Sequence, residues 1–522
     1  MTHPTAAIAE NNADRATPLS DALADDGRPD GTLKNLRADE VGRLAARSAK
    51  WAFLANLLPL LTQPVVNVVL ARVLLPQDYG IVALASGVTA LAGIFQGMGL
   101  SQALIRRTEE ELPRAASVAF SLNASLGATA YAVVFLFAPL IARFLGEPRL
   151  VAVLRVQGLT LLVASLASVQ IALLHRSFLF RRLFWLYLVP ALSPLAVALP
   201  LAALGFGYWA LVASALTATA LQTALLWISS PWRPRLVLDL GLALSLLSFG
   251  GLIALETLQN WATLSGANLI IGRALGPEEL GRFVMAFYLA TTAVGIWIRP
   301  LSALVYASLC RLREDPARMR SAYLDTLRVL ATTVLPASVG LSVLAGRIVP
   351  LLLGPRWTPI VPVVRIFAIL PGLEYVLAFK ADVYRAAGRP DIMPRFNFVE
   401  ILYVVPAYLL AARFGILAIS WVRFSSGALL YLPHVLVTAR LLSLPRRSFW
   451  RCLRAPLAGS LMMGAVLLLF DRFLGAPASA LPGWTHLLFL VLAGFLTYAG
   501  GLFLLDRSGT TAVLGTIKRC LR

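Results

Sequence analysis

From about residue 46 onward, apolar runs of roughly 20 residues follow one another with little interruption, each closed by a short polar or basic stretch. A run of that length is what a helix needs to cross the hydrocarbon of a bilayer, whereas an outer-membrane barrel shows shorter segments of alternating polarity. The pattern predicts an all-α integral membrane protein with fourteen transmembrane helices. The spans are expected at about 47–70, 80–103, 116–139, 150–174, 184–204 and 208–229, then at about 247–271, 282–306, 325–346, 359–383, 397–413 and 416–438, with a further pair near 456–474 and 485–506. The corresponding organisation is a polar tail (1–46), an N-terminal lobe (47–232), a C-terminal lobe (233–445), and a last helix pair with a basic tail (446–522).

The polar punctuation repeats. The segment 67–80 returns without a gap as 268–281, 201 residues later (268 − 67). Asn67 and Asn268, Arg72 and Arg273, Leu74 and Leu275, Pro76 and Pro277, and Gly80 and Gly281 are identical pairs, and Asp78 matches Glu279 in charge. A weaker match relates Leu145-Gly146-Glu147-Pro148-Arg149, before span 4, to Leu353-Gly354-Pro355-Arg356-Trp357, before span 10. The two copies of the longer segment lie six spans apart, an even offset, so both halves run the same way through the membrane. Two pseudo-symmetric six-helix lobes are expected, related by an axis along the membrane normal, with any transport site between them.

The ordinary reading of the repeated segment is a capped corner. Pro76 and Pro277 stop one helix and start the next, Asp78 and Glu279 sit where a helix dipole favours an anion, and Gly80 and Gly281 permit a tight approach. Arg72 and Arg273 then snorkel at the interface. The alternative is a gate in which all six of Arg72, Pro76, Gly80, Arg273, Pro277 and Gly281 take part.

Composition agrees with the pattern. Hydrophobic residues make up 58% of the chain and charged residues only 14%, with a mean hydropathy of +0.77, against about a quarter charged for a soluble domain. The net charge of +20 would point to nucleic acid in a soluble protein, but here the positive-inside rule accounts for it. Arginines crowd alternate loops, beginning with Arg106, Arg107 and Arg114 and ending with Arg440, Arg446, Arg447, Arg451 and Arg454. That asymmetry places both termini in the cytoplasm of a bacterial inner-membrane protein. The leader before residue 46 has no apolar core of a signal peptide and reads as a disordered cytoplasmic tail. Cys310, Cys452 and Cys520 fall on the same side, where thiols stay reduced, and show no metal-ligand spacing.

Charges within spans are the sharper functional signal, because an ion at mid-bilayer costs at least about 2.5–3.5 kcal/mol. Arg299, Arg423, Glu256 and Glu374 qualify. Each is either part of a substrate cavity or neutralised by pairing, for example Glu256 with Arg299. Arg155 and Arg365 occupy comparable places near the outer ends of spans 4 and 10, as a cationic rim for a pyrophosphate or as contacts to lipid headgroups. Amides within spans, Asn67 and Asn268 among them, serve interhelical hydrogen bonds or contact sugar hydroxyls. No Walker motif, dinucleotide turn, Cys/His cluster or Ser/His/Asp arrangement is present, so neither cofactor nor metal is expected.

The stretch 71–80, the following 97–106, and 272–281 resemble the oligosaccharide and polysaccharide flippase family, the Wzx-type exporters, within the superfamily that also holds the multidrug and toxin extrusion antiporters and the lipid II flippase. The resemblance implies a transporter rather than an enzyme, working by alternating access on an undecaprenyl-pyrophosphate-linked oligosaccharide for O-antigen, capsule or exopolysaccharide. Membrane lipids, and a polysaccharide polymerase with its chain-length machinery, are the implied partners, and no nucleic acid. A cation-coupled multidrug antiporter of the same superfamily is the alternative. A glycosyltransferase or polymerase would require a sizeable outer loop bearing essential ionisable residues, which the sequence lacks, and a non-transporting scaffold stays open.

Overall fold

The computed structural model describes residues 62–97, 100, 104, 111–176, 180–235, 237, 239–295, 315–377, 379–389, 391–474 and 483–506. No strand occurs among them. Helix α1 (residues 62–73) turns into α2 (Pro76–Gly97), followed by α3 (Leu112–Leu145), the short α4 (Leu150–Gln157), α5 (Leu159–Ser165) and α6 (Ser168–Arg176), then α7 (Phe180–Ala203) and α8 (Tyr208–Ser229). The second half runs through α9 (Leu240–Gly295), α10 (Pro316–Leu353), α11 (Val361–Glu374), α12 (Lys380–Ala386), α13 (Ile392–Ala411) and α14 (Ile416–Leu441), and ends with α15 (Arg446–Leu474) and α16 (Gly483–Leu505). Ten of the described helices are long and apolar enough to cross a bilayer, or eleven if the bent α4–α6 unit counts as one.

Local chemistry sets the boundaries. Asp315 caps α10, its carboxylate accepting from the N–H groups of Ala317 and Arg318, and Pro316 supplies a first residue that needs no partner for its nitrogen. Gly146 (φ 74°) ends α3 and Gly354 (φ 98°) ends α10, so the weaker repeat marks two left-handed helix stops. The segment expected as a continuous span over 150–174 is broken instead, bending by 43° between Leu150–Ser165 and Ser168–Leu174. The break is tolerated in an apolar setting because α8 takes up carbonyls beside it. Trp227 Nε1 donates to the Leu166 carbonyl at 2.9 Å and Thr223 Oγ1 to that of Val163 at 3.2 Å.

Helix α9 contains 56 residues, about 84 Å if straight and far more than a bilayer needs. It kinks at Gly276 (φ 85°, ψ 172°), and Pro277 begins the second arm. The two arms correspond to the spans expected near 247–271 and 282–306, of which residues 296 onward lie outside the described residues.

Among the described residues, the most extensive helix contact joins α2 to α9, one helix from each half. It is built on missing side chains. A Cβ at Gly80 would overlap the Pro277 carbonyl, one at Gly281 would overlap the Pro76 carbonyl, and further along Gly272 admits Leu84 and Gly87 admits Leu269. Without a hydrophobic drive between helices in lipid, close backbone approach of this kind supplies the dispersion contacts that hold them together. Trp261 Nε1 adds a hydrogen bond to the Gly87 carbonyl at 2.8 Å. One hydrophobic core runs through the contact, from Ala71, Ile81 and Leu84 to Ile271, Leu280 and Phe367.

The last pair, α15 and α16, packs on α10. Arg347 Nε contacts Asp471 Oδ1 at 2.6 Å and Tyr498 donates its hydroxyl to the Thr332 carbonyl at 2.8 Å.

Gly80→Ala and Gly281→Ala force a methyl group onto backbone and are expected to cost about 1–3 kcal/mol each, the usual range for overpacking. Gly97→Ala, where a Cβ meets nothing within 4 Å, should be neutral or stabilising. Melting temperatures of the three detergent-purified variants check this.

Candidate functional site

Two clusters of polar groups stand out from the apolar frame. The first lies where the repeated segments meet. At the end of α1, Arg72 crosses to the other half, with Nε donating to the Leu352 carbonyl at 2.8 Å and Nη2 to that of Leu351. Arg356 reaches the opposite way, from the turn after α10 to the carbonyls of Val73 and Leu74 at 3.3 and 3.4 Å. Between them the fully buried Trp357 donates Nε1 to the Ala71 carbonyl at 2.8 Å and sets its ring edge-on to Tyr79. The last carbonyls of a helix have no partner within it, so guanidinium and indole donors from the other half satisfy groups that each half leaves open.

The two copies are used unequally. Asp78, 6% exposed, accepts from the N–H of Leu75 at 2.9 Å and from that of Tyr208 at 3.1 Å, tying the corner to α8. Its counterpart Glu279 instead pairs with Arg282, as does Glu278. Arg273 places Nη1 3.8 Å from where a Cβ of Gly146 would stand, the counterpart of Arg72 beside the end of α10. In the weaker repeat, Arg149 turns back to Glu147 at 2.7 Å, and this pairing holds the Glu147 carboxyl below the usual range, whereas Arg356 crosses over.

The second cluster lies inside the C-terminal half. Arg423 of α14 is 8% exposed. Its Nη2 stands 2.9 Å from Glu374 Oε1 at the end of α11, and its Nη1 lies 3.5 Å from Glu400 Oε1 of α13 and 3.2 Å from Ser426 Oγ. Gly427 makes the room, since a Cβ there would stand 3.2 Å from Glu374 Oε1. Lys380, at the start of α12, interacts electrostatically with both carboxylates. Two acids and two bases therefore balance within one set of packed helices. Arg423 Nε and the Tyr408 hydroxyl are buried beside them without a hydrogen-bond partner.

The candidates read from the sequence separate accordingly. Arg423 and Glu374 come together as an ion pair, so Arg423 is not a free cation in this arrangement. Glu256, half-buried, lies 3.3 Å from Arg385; Arg299, the partner expected from the sequence, lies outside the described residues. Arg155 stacks its guanidinium 4.7 Å over Phe135 of α3 and keeps a buried, unpartnered Nε. Arg365, exposed, stands beside Gly346 of α10. Each of this pair thus turns to a helix of its own half, and neither makes an ion pair among the described residues. Asn67 and Asn268 are half-buried, and the Tyr79 hydroxyl meets the Asn67 carbonyl at 3.5 Å. Other amides do bridge helices, such as Gln157 to Ser86 at 2.8 Å and Gln259 to the Pro394 carbonyl at 3.1 Å.

Sequence reasoning missed Glu400, close to the expected start of span 11, and gave Trp357 no role of its own. Glu400 had a usable signal, since an acid three residues inside an expected span meets the same desolvation cost as Glu374.

Arg423→Ala leaves Glu374 and Glu400 without their buried partner and is expected to cost about 3–5 kcal/mol. Arg423→Met with Glu374→Gln and Glu400→Gln, which removes the charges together, should recover most of that loss. Thermal melting of both purified variants decides it.

Comparison with known proteins places these features. A family model described as "Polysaccharide biosynthesis protein" matches residues 69–362, which include both corners. The chain is 28% identical over 338 residues to the succinoglycan biosynthesis transport protein ExoT of Rhizobium meliloti, covering 63% of this chain and 67% of that protein. It is 24% identical over 470 residues to the teichuronic acid biosynthesis protein TuaB of Bacillus subtilis, covering 88% and 95%, and 22% identical over 371 residues to the lipopolysaccharide biosynthesis protein WzxC of Escherichia coli, covering 70% and 74%. Among solved structures, the lipid II flippase MurJ in an inward closed conformation shares the fold with a TM-score of 0.69 at 14% identity, over 88% of this chain and 99% of MurJ. An inward-facing multidrug resistance MATE transporter aligns with a TM-score of 0.58 at 14% identity, over 75% and 98%. With the family model spanning more than half of its length, this multi-pass helical membrane transporter belongs to the polysaccharide biosynthesis protein family.

Proposed function

We propose that the chain is a flippase that moves an undecaprenyl-pyrophosphate-linked oligosaccharide across the bacterial inner membrane for surface polysaccharide synthesis. The observation that carries this reading is the near full-length match to TuaB, supported by the transport protein ExoT and by the shared fold with a lipid flippase. In this reading fourteen helices form two six-helix lobes (47–232 and 233–445) and a C-terminal pair with a basic tail (446–522). The tail 1–46 and both termini are cytoplasmic, and a polymerase with its chain-length machinery takes the product.

The corner then lies on the periplasmic side, and the arrangement described is closed there. Alternating access requires the crossed contacts of Arg72, Arg356 and Trp357 to part while the cytoplasmic side closes. Hydrogen bonds from side chains to open helix ends suit this role, because water can replace each of them when the halves separate. Arg155 and Arg365 are the better anion candidates, since no carboxylate neutralises them among the described residues, whereas Arg423 binds a pyrophosphate only if Glu374 and Glu400 release it. Arg299 remains a candidate by its place in the sequence.

Deletion of the gene is expected to abolish the surface polysaccharide and to accumulate complete lipid-linked repeat units on the cytoplasmic leaflet. Normal polysaccharide with altered drug tolerance would instead support an antiporter. For the gate, Arg72→Ala with Arg356→Ala removes donors worth about 0.5–1.5 kcal/mol each. A cysteine in place of Ser265, about three turns inward of the corner, should then react roughly tenfold faster with a membrane-impermeant maleimide added outside; an unchanged rate would rule out the latch.

A further inference from the structure

The first two turns of α15 carry a feature that neither the corners nor the buried cluster uses. Arg447, Trp450, Arg451 and Arg454 follow the i, i+3, i+4, i+7 spacing of one helix face, and all four are exposed, Trp450 by 60%. The opposite face is buried on α10. Phe449 sets its ring edge-on to Tyr323 at 6.1 Å, and the Cys452 thiol lies 3.8 Å from the Leu324 carbonyl. Asp325 and Asp506 act electrostatically on Cys452, which lies on the buried side of the helix. None of the three arginines has an ion-pair partner among the described residues.

Helix length places the face at a definite level. The 29 residues of α15 extend about 43 Å, against about 30 Å of hydrocarbon. Its uncharged run is 455–470, closed at the far end by Asp471 and Arg472. The turns holding the three arginines therefore project into the headgroup layer, where Trp partitions with its indole N–H among polar groups and its ring against acyl chains. Three guanidinium groups and an indole on one face present several donors to phosphate oxygens and an apolar plane to glycerol and chain, and among the described residues no acid pairs with them.

We propose that this face of α15 is a binding site for the headgroups of anionic phospholipid, fixing the cytoplasmic end of the α15–α16 pair. The proposal rests on the sidedness given above and not on the transported substrate. A titration of purified protein reads it without any transport.

Detergent-solubilised full-length protein is titrated with phosphatidylglycerol and, separately, with phosphatidylcholine, with bound lipid counted by native mass spectrometry and melting temperature followed in parallel. Phosphatidylglycerol is expected to bind preferentially and to lose affinity as salt rises. Arg447→Gln/Arg451→Gln/Arg454→Gln should weaken phosphatidylglycerol binding on the order of 100-fold, from roughly a fivefold contribution per basic residue near a membrane surface, leaving phosphatidylcholine binding unchanged. The single Arg451→Gln variant, roughly fivefold weaker, serves if the triple variant fails to fold. Equal binding of the two lipids by the wild-type chain, or a salt-independent preference that survives in the variants, would overturn the site. Retention of soluble polyglutamate without any lipid preference would also overturn it, in favour of an acidic protein partner. Loss of polysaccharide export in the cell with lipid preference intact would bear on the transport reading alone.

Discussion

The contact on which the rest depends is that of backbone against backbone at the two corners, Gly80 on Pro277 and Gly281 on Pro76. Water cannot drive helices together within lipid, so association has to come from close packing and from hydrogen bonds that lipid cannot offer. Removing the side chain from both partners lets the backbones meet. Once they do, α2 and α9 stay close as far as Gly87 and Trp261, and donors on each half reach carbonyls that the other leaves open. The kink at Gly276 follows from the same demand, since the second arm of α9 starts at the proline that touches Gly80.

The duplication is symmetrical in backbone and asymmetrical in chemistry. Both corners keep their Pro and Gly, and both helix stops keep a left-handed glycine. Asp78, however, serves the backbone of α8 while Glu279 serves a neighbouring arginine, and only Arg356 of the weaker repeat crosses between halves. The buried polar residues recorded in α7 and α8 are neutral, namely Ser193, Ser214 and Thr223, whereas α13 and α14 enclose Glu400 and Arg423. A network of two half-buried acids and two bases, centred on the buried Arg423, is a costly way to join helices, and it is stable only while its members remain together.

Reversibility distinguishes the two clusters. The corner bonds end on the open backbone carbonyls of helix ends, which water can satisfy at little net cost. The Arg423 network sits among packed helices, where separation exposes charge to a poor solvent. A structure in which the halves move as bodies needs contacts of the first kind between them and tolerates those of the second kind within one of them.

The class and the positions of the corners were legible in the order of residues alone. Hydrophobic run length, Pro, Gly and the duplicated segment act locally, over one or two turns, and are legible in order along the chain. The sequence also placed charges at Glu374 and Arg423, because an ion within an apolar run is costly wherever it points. Which charge meets which was settled by the packing of the helices. Arg423 meets Glu374 and Glu400, Glu256 meets Arg385, and Trp357 meets Ala71 over a separation of 286 residues. Partner choice depends on the rotation of each helix about its axis and on how deep its residues lie in the packed assembly. A helix that is apolar on nearly all sides carries little periodic signal to reveal either, so the partners emerge only once the helices have packed.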